Sequence, residues 1–189
     1  MKHFKLGDAQ VQQAIANFIS EARQCSRTDY EDGQGGVLGL AAMSTILACV
    51  VAVGEVLLED ERDRGKTQAT VRAFYRQMVD KTSWLKPPVG TDHSEEHAIK
   101  LLVEYRDGLL HALGRPPWGM LSAHQPADVQ AREHKELWQL VVPDFIDAVE
   151  ETVERLVADP EKARYAWNPE AEKRGIDREP VKKEIWNTL

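Results

Sequence analysis

The sequence specifies an all-α fold, a bundle of four to six helices followed by a C-terminal extension. Three observations predict it. Apolar residues recur at helical spacing in successive segments, and glycines and prolines punctuate the chain between them. One of those segments is apolar on every side, the mark of a helix with neighbours all round. No stretch alternates apolar and polar residues convincingly enough to read as a strand, so helix-on-helix packing is the expected architecture. Residues 1–159 form the expected bundle, and residues 160–189 a polar extension that packs on it or on a partner.

The first helix follows Asp8, an N-cap residue, with Val11, Ile15, Phe18, Ile19 and Ala22 on one face. The polar run from Ser26 to Gly36 is a loop. A second helix covers roughly Val37 to Arg62, where Gly39, Ala41, Ala42, Ser44 and Ala48 leave room for close helix approach. Thr67 caps a third, with Val71, Phe74, Tyr75 and Met78 on its apolar face, and Pro87-Pro88 break the chain after it. The fourth starts near Thr91 or Asp92, where Asp92 and Glu95 fit a capping box. It carries Ile99, Leu102, Val103, Leu109, Leu110 and Leu113, and Gly114 ends it. The fifth runs from about Asp128 to Asp159. Pro143 either kinks it or opens a new helix there. Beyond Pro160, Tyr165, Trp167, Ile176, Val181, Ile185 and Trp186 are scattered among charges.

Composition narrows the function classes. Apolar residues at 42% and charged residues at 29% belong to an ordinary soluble domain, and 189 residues bury a core without disulfides or metals. A net charge of -7 argues against broad coating of nucleic acid but leaves room for a local basic site. Cys25 and Cys49 form no C-x-x-C pair and read as reduced structural thiols of a cytoplasmic protein. The N-terminal MKHFKLGDAQ lacks the apolar core of a signal peptide. Gly33 to Gly54 is uncharged and about long enough to span a bilayer. Its flanks hold Glu31, Asp32, Glu55 and Glu59 without a Lys/Arg cluster to orient it, so a buried central helix is expected and no membrane.

The fourth helix holds the informative residues, Arg106-Asp107-Gly108-Leu109-Leu110-His111. On an ideal wheel Arg106 shares the inward stripe with Ile99, Leu102, Val103, Leu110 and Leu113. A guanidinium facing a core needs a carboxylate, a partner subunit or a bound phosphate. Its planar fork suits phosphate, and Glu55, also embedded in apolar sequence, is the best carboxylate candidate. Asp107 and His111 are four apart and neighbours on one face, so Asp107 can orient the imidazole. Arg106 and His111, five apart, diverge by about 140° on an α-helix. They converge across a dimer interface or where the helix loosens at Gly108.

An arginine, a polar residue, a short gap and a histidine near a helix end resemble the motif of the HEPN superfamily. The preceding apolar helix that ends in an acidic residue, LAAMSTILACVVAVGEVLL, is similar too. The resemblance spans roughly residues 8 to 159. It implies a homodimer whose two motifs line one cleft, and metal-independent cleavage of single-stranded RNA. By the same resemblance His111 is the general acid/base, Arg106 holds the scissile phosphate, and Asp107 positions one of them. No cofactor is implied, and an antitoxin or effector protein is an expected partner. A non-catalytic dimeric binding or assembly protein is the alternative, since many superfamily members are silent.

Other constellations carry less. His93-Ser94-Glu95-Glu96-His97 matches H-x-x-E-H, with Glu170 or Glu172 conceivable as a third zinc ligand, but it sits at the charged start of a helix. Gly33-Gln34-Gly35-Gly36 lacks the preceding strand and following Lys of a phosphate loop. Trp84, Trp118, Trp138, Trp167 and Trp186 are dispersed and are expected in core or interface packing.

Overall fold

The computed structural model describes residue 6 and residues 9–27, 36–58, 61–63, 65–108, 119–122 and 137–158. Five α-helices lie among them: α1 (Ala9–Arg27), α2 (Gly36–Leu57), α3 (Thr67–Gln77), α4 (Glu95–Asp107) and α5 (Val142–Ala158). The chain is mainly helical, as its periodicity demands. Three short strands join the helices: β1 (Leu85–Lys86), β2 (Gly119–Ser122) and β3 (Trp138–Val141).

Helix α2 is the hub. Ala42, Met43, Ile46, Leu47, Cys49, Val50, Val53 and Val56 are buried along it, and α1, α3, α4, α5 and β2 all pack against it. By length and composition it is apolar enough to cross a membrane, yet in the fold these neighbours bury half of that stretch. Burying so much aliphatic surface is worth roughly 1.5–3 kcal/mol per fully covered side chain, which makes α2 the main source of cohesion. Cys49 belongs to this core, where burial pushes its thiol up to about 12, so it stays protonated and inert. Both described cysteines are free.

The close approach of α2 to α3 falls at Gly54, not at the small residues nearer the start of α2. A Cβ on Gly54 would run into the backbone carbonyl of Thr70, whereas one on Gly39 would meet nothing. Thr70 is fully buried and turns its hydroxyl back to Thr67 O at 2.8 Å. The N-cap of α3 is Lys66, one residue before the expected Thr67. Gly65, at φ 74°, makes the left-handed turn into the helix.

Polar side chains tie α5 to α1 and to the end of α3. Arg23 of α1 reaches Asp147 at 2.6 Å and also pairs with Glu150. Arg155 donates to Gln77 O and so serves one of the unsatisfied carbonyls at the end of α3. Thr152 accepts from Val79 N at 3.4 Å just beyond that end. The buried face of α1 is Ile15, Ile19 and Ala22, and Phe18, expected on it, is 39% exposed.

The sheet corrects the expectation of a strand-free chain. Its order is β1-β3-β2, with β1 antiparallel and β2 parallel to the central β3. Leu85 pairs with Leu140, and Leu121 with Leu140 from the other side. Residues 138–141 were expected in a helix because Leu137, Val141, Phe145, Val149 and Val153 fall four apart. Every residue of β3 is buried, so it carries no alternation to reveal a strand. Pro143 settles the boundary. It lies in the first turn of α5, where its missing N–H costs nothing, and the residue before a proline favours extended backbone. Pro143 therefore opens a helix and does not kink one.

Beside the sheet, Trp84 is fully buried, edge-on to Tyr75 and 4.7 Å from the Phe145 ring. Its indole N–H donates to Asp80 O at 3.1 Å, and its carbonyl accepts from Val141 N at 2.8 Å. The Asp80 carboxylate accepts from the amides of Thr82 and Ser83, which hold it below the usual carboxylate range despite partial burial.

Gly54→Ala is expected to destabilise the protein by about 1–3 kcal/mol, because backbone has to move. Gly39→Ala is expected to gain up to about 1 kcal/mol from helix propensity alone. Urea unfolding of the two variants checks the contrast. Equal effects would show that α2 and α3 do not meet at Gly54.

Candidate functional site

The described part of the motif ends helix α4. The helix starts on Ser94, whose hydroxyl accepts from His97 N at 3.1 Å, and Glu95 and Glu96 occupy its first turn, where negative charge is favoured. The expected capping box at Asp92 and Glu95 is thus displaced by two residues. Gly90, at φ 82°, prolongs the turn after the prolines and delays the helix.

The buried face of α4 consists of Ala98, Ile99, Leu101, Leu102 and Tyr105. That stripe is rotated from the one read on the wheel: Leu101 and Tyr105 take the centre, while Val103 and Arg106 are half-buried at the flank. Arg106 accordingly keeps 28% of its side chain exposed. The cost of placing a guanidinium there is far below that of full burial.

Its partner is its own neighbour. Arg106 Nη1 donates to Asp107 Oδ1 at 2.9 Å, and the Asp107 side chain is 47% exposed. Glu55, expected to meet Arg106, instead accepts from the amide of Gly65 at 3.0 Å and closes the turn between α2 and α3. Asp107, expected to orient His111, is engaged by Arg106. Leu109, Leu110, His111, Leu113, Gly114 and the extension with Glu170 and Glu172 lie outside the described residues.

At Gly108, the last described residue of this segment, the backbone keeps α dihedrals, φ -62° and ψ -43°. Its N–H is shared between Glu104 O and Tyr105 O.

A second cluster joins His93 and His97 to Trp138, which the sequence offers only as separate features. His93 and His97 both face the indole of Trp138 in β3, with ring centroids 6.3 Å and 5.4 Å from it. Ser94 Oγ lies 2.8 Å from His97 Nδ1. His93 precedes the helix and only His97 belongs to it, so the H-x-x-E-H stretch does not set both rings on one helical face. Among the described residues no group of three His, Cys, Asp or Glu side chains is arranged to hold a metal ion.

Comparison with known proteins supplies no relative. No family model matches the chain, and neither a curated protein nor a solved structure is similar to it.

Asp107→Ala is expected to change stability by less than about 1 kcal/mol, as for other half-exposed ion pairs. Ser94→Ala, which removes the cap of α4, is expected to cost about 0.5–2 kcal/mol. Chemical denaturation measures both, and a larger loss for Asp107→Ala than for Ser94→Ala would mean that the ion pair is a structural clamp.

Proposed function

We propose that the chain is a metal-independent endoribonuclease of the HEPN type, working in the cytoplasm as a homodimer with the two motifs on a shared cleft. The observation that carries this reading is the Arg106–Asp107 pair at the end of α4. A half-exposed guanidinium held by one carboxylate oxygen is oriented yet keeps donors for a phosphate. Asp107 thus positions Arg106, which is one of the two roles open to it.

In this scheme the substrate is single-stranded RNA. The 2′-hydroxyl gives up its proton and attacks the adjacent phosphorus. The bond to the 5′-oxygen breaks, that oxygen takes a proton, and a 2′,3′-cyclic phosphate end remains. His111 serves the proton transfers, because imidazole exchanges protons near neutral pH. Arg106 stabilises the charge gathering on the phosphate oxygens. Such an enzyme acts as a toxin or defence component held in check by an antitoxin or effector protein.

A second reading is a non-catalytic dimeric binding or assembly protein of the same type. The net charge of -7 favours it, since an acidic surface repels RNA.

The expected outcome is RNA cleavage that persists in EDTA and leaves cyclic phosphate ends. Arg106→Ala and His111→Ala are expected to lower the rate at least about 100-fold while the dimer persists on size-exclusion chromatography. If the wild-type protein leaves RNA as intact as both variants do, the binding reading replaces the enzyme.

A further inference from the structure

We propose that His93 is an acid-sensitive latch that holds the start of α4 against the central strand β3, so that protonation of its ring frees Trp138 and loosens the sheet. The cluster is built for one protonation state. His93 Nε2 is buried and has no hydrogen-bond partner among the described residues. The ring meets the Trp138 indole at an interplanar angle of 72° and also contacts the Lys81 backbone. Trp138 itself is only 5% exposed. A neutral imidazole fits such a place, because one ring nitrogen carries no proton and the apolar indole asks for none. An imidazolium has donors on both nitrogens, and the second would be buried without an acceptor.

Among the described residues no carboxylate is paired with the His93 ring. On the connection before α4 the ionisable groups are Asp80, Lys81, Lys86 and Asp92. The Asp80 carboxylate is engaged by the Thr82 and Ser83 amides, and the Lys81 ammonium lies over the Tyr75 ring. On α4 they are Glu95, beside Arg76, then Glu96, His97 and Lys100, which is beside Glu104. Strand β3, Trp138-Gln139-Leu140-Val141, has none. His97 sits on the same indole.

Desolvation holds His93 below the ordinary histidine range, which agrees with this geometry. The fold therefore favours the neutral ring. The stabilisation is complete above the unfolded value of about 6.5 and is lost as the pH falls below it. Because β3 is the middle strand, its release is felt by both β1 and β2.

Hydrogen–deuterium exchange of the full chain at about pH 7.5 and about pH 5.5, corrected for the intrinsic rate, tests the latch. The expected result is a loss of protection at the lower pH in Leu85 and in Trp138 to Val141, with α2 unchanged. His93→Gln is expected to abolish that difference and His97→Gln to keep it. Equal protection at both pH values in the wild type overturns the proposal, as does a loss that survives His93→Gln or vanishes only in His97→Gln. Should His93→Gln fail to fold, NMR titration of the wild-type ring decides. A His93 that titrates below the ordinary range supports the latch, and one at or above it overturns it.

Discussion

A helix without a single charged side chain before Glu55 has to be covered, and that requirement organises the protein. Helix α2 meets it by gathering α1, α3, α4 and α5 around itself, together with β2. The apolar surface removed from water there is the largest favourable contribution available to a domain of this size. Glu55 marks where the demand stops: its carboxylate is spent on the Gly65 amide, so the first charge after the apolar run also fixes the turn that brings α3 back. Gly54, one residue earlier, lets that return be tight.

The position of Arg106 follows from the same packing. Tyr105 and Leu101 take the centre of the buried face of α4, which leaves Arg106 at the margin. A marginal arginine needs less compensation than a buried one, and one carboxylate oxygen from Asp107 suffices in the fold described. The chemistry proposed for it depends on this intermediate state, since a fully buried fork would reach no phosphate and a fully solvated one would have no fixed aim.

Much of the helical framework was legible in the sequence, because α1, α2, α3, α4 and α5 each announce themselves by spacing, caps or breaks. What escaped had specific causes. Strand β3 is buried on both faces and lies in phase with the helix that follows, so its residues mimic a continuing helical stripe. Ser94 is hidden as the cap because Asp92 and Glu95 fit a capping box two residues earlier. The wheel puts Arg106 inward beside Val103, whereas Ala98, Leu101 and Tyr105 join Ile99 and Leu102 on the buried face. The site was legible only as a motif: Arg106 and Asp107 could be named, but their mutual pairing and the alternative engagement of Glu55 depend on side-chain directions. The meeting of His93, His97 and Trp138 joins positions about 40 residues apart, and no local pattern encodes such a contact.

Strand β3 passes into α5 with no connecting residue, Val141 closing one and Val142 starting the other. Sliding the strand by a single position against its neighbours would turn its side chains over, and it would also rotate the attached helix by about 100°. Phe145, Ile146, Val149 and Val153 would then leave the interior together. The amphipathic face of α5 thus acts as a proofreading device for strand alignment, and it spares so short a sheet from having to secure its own register.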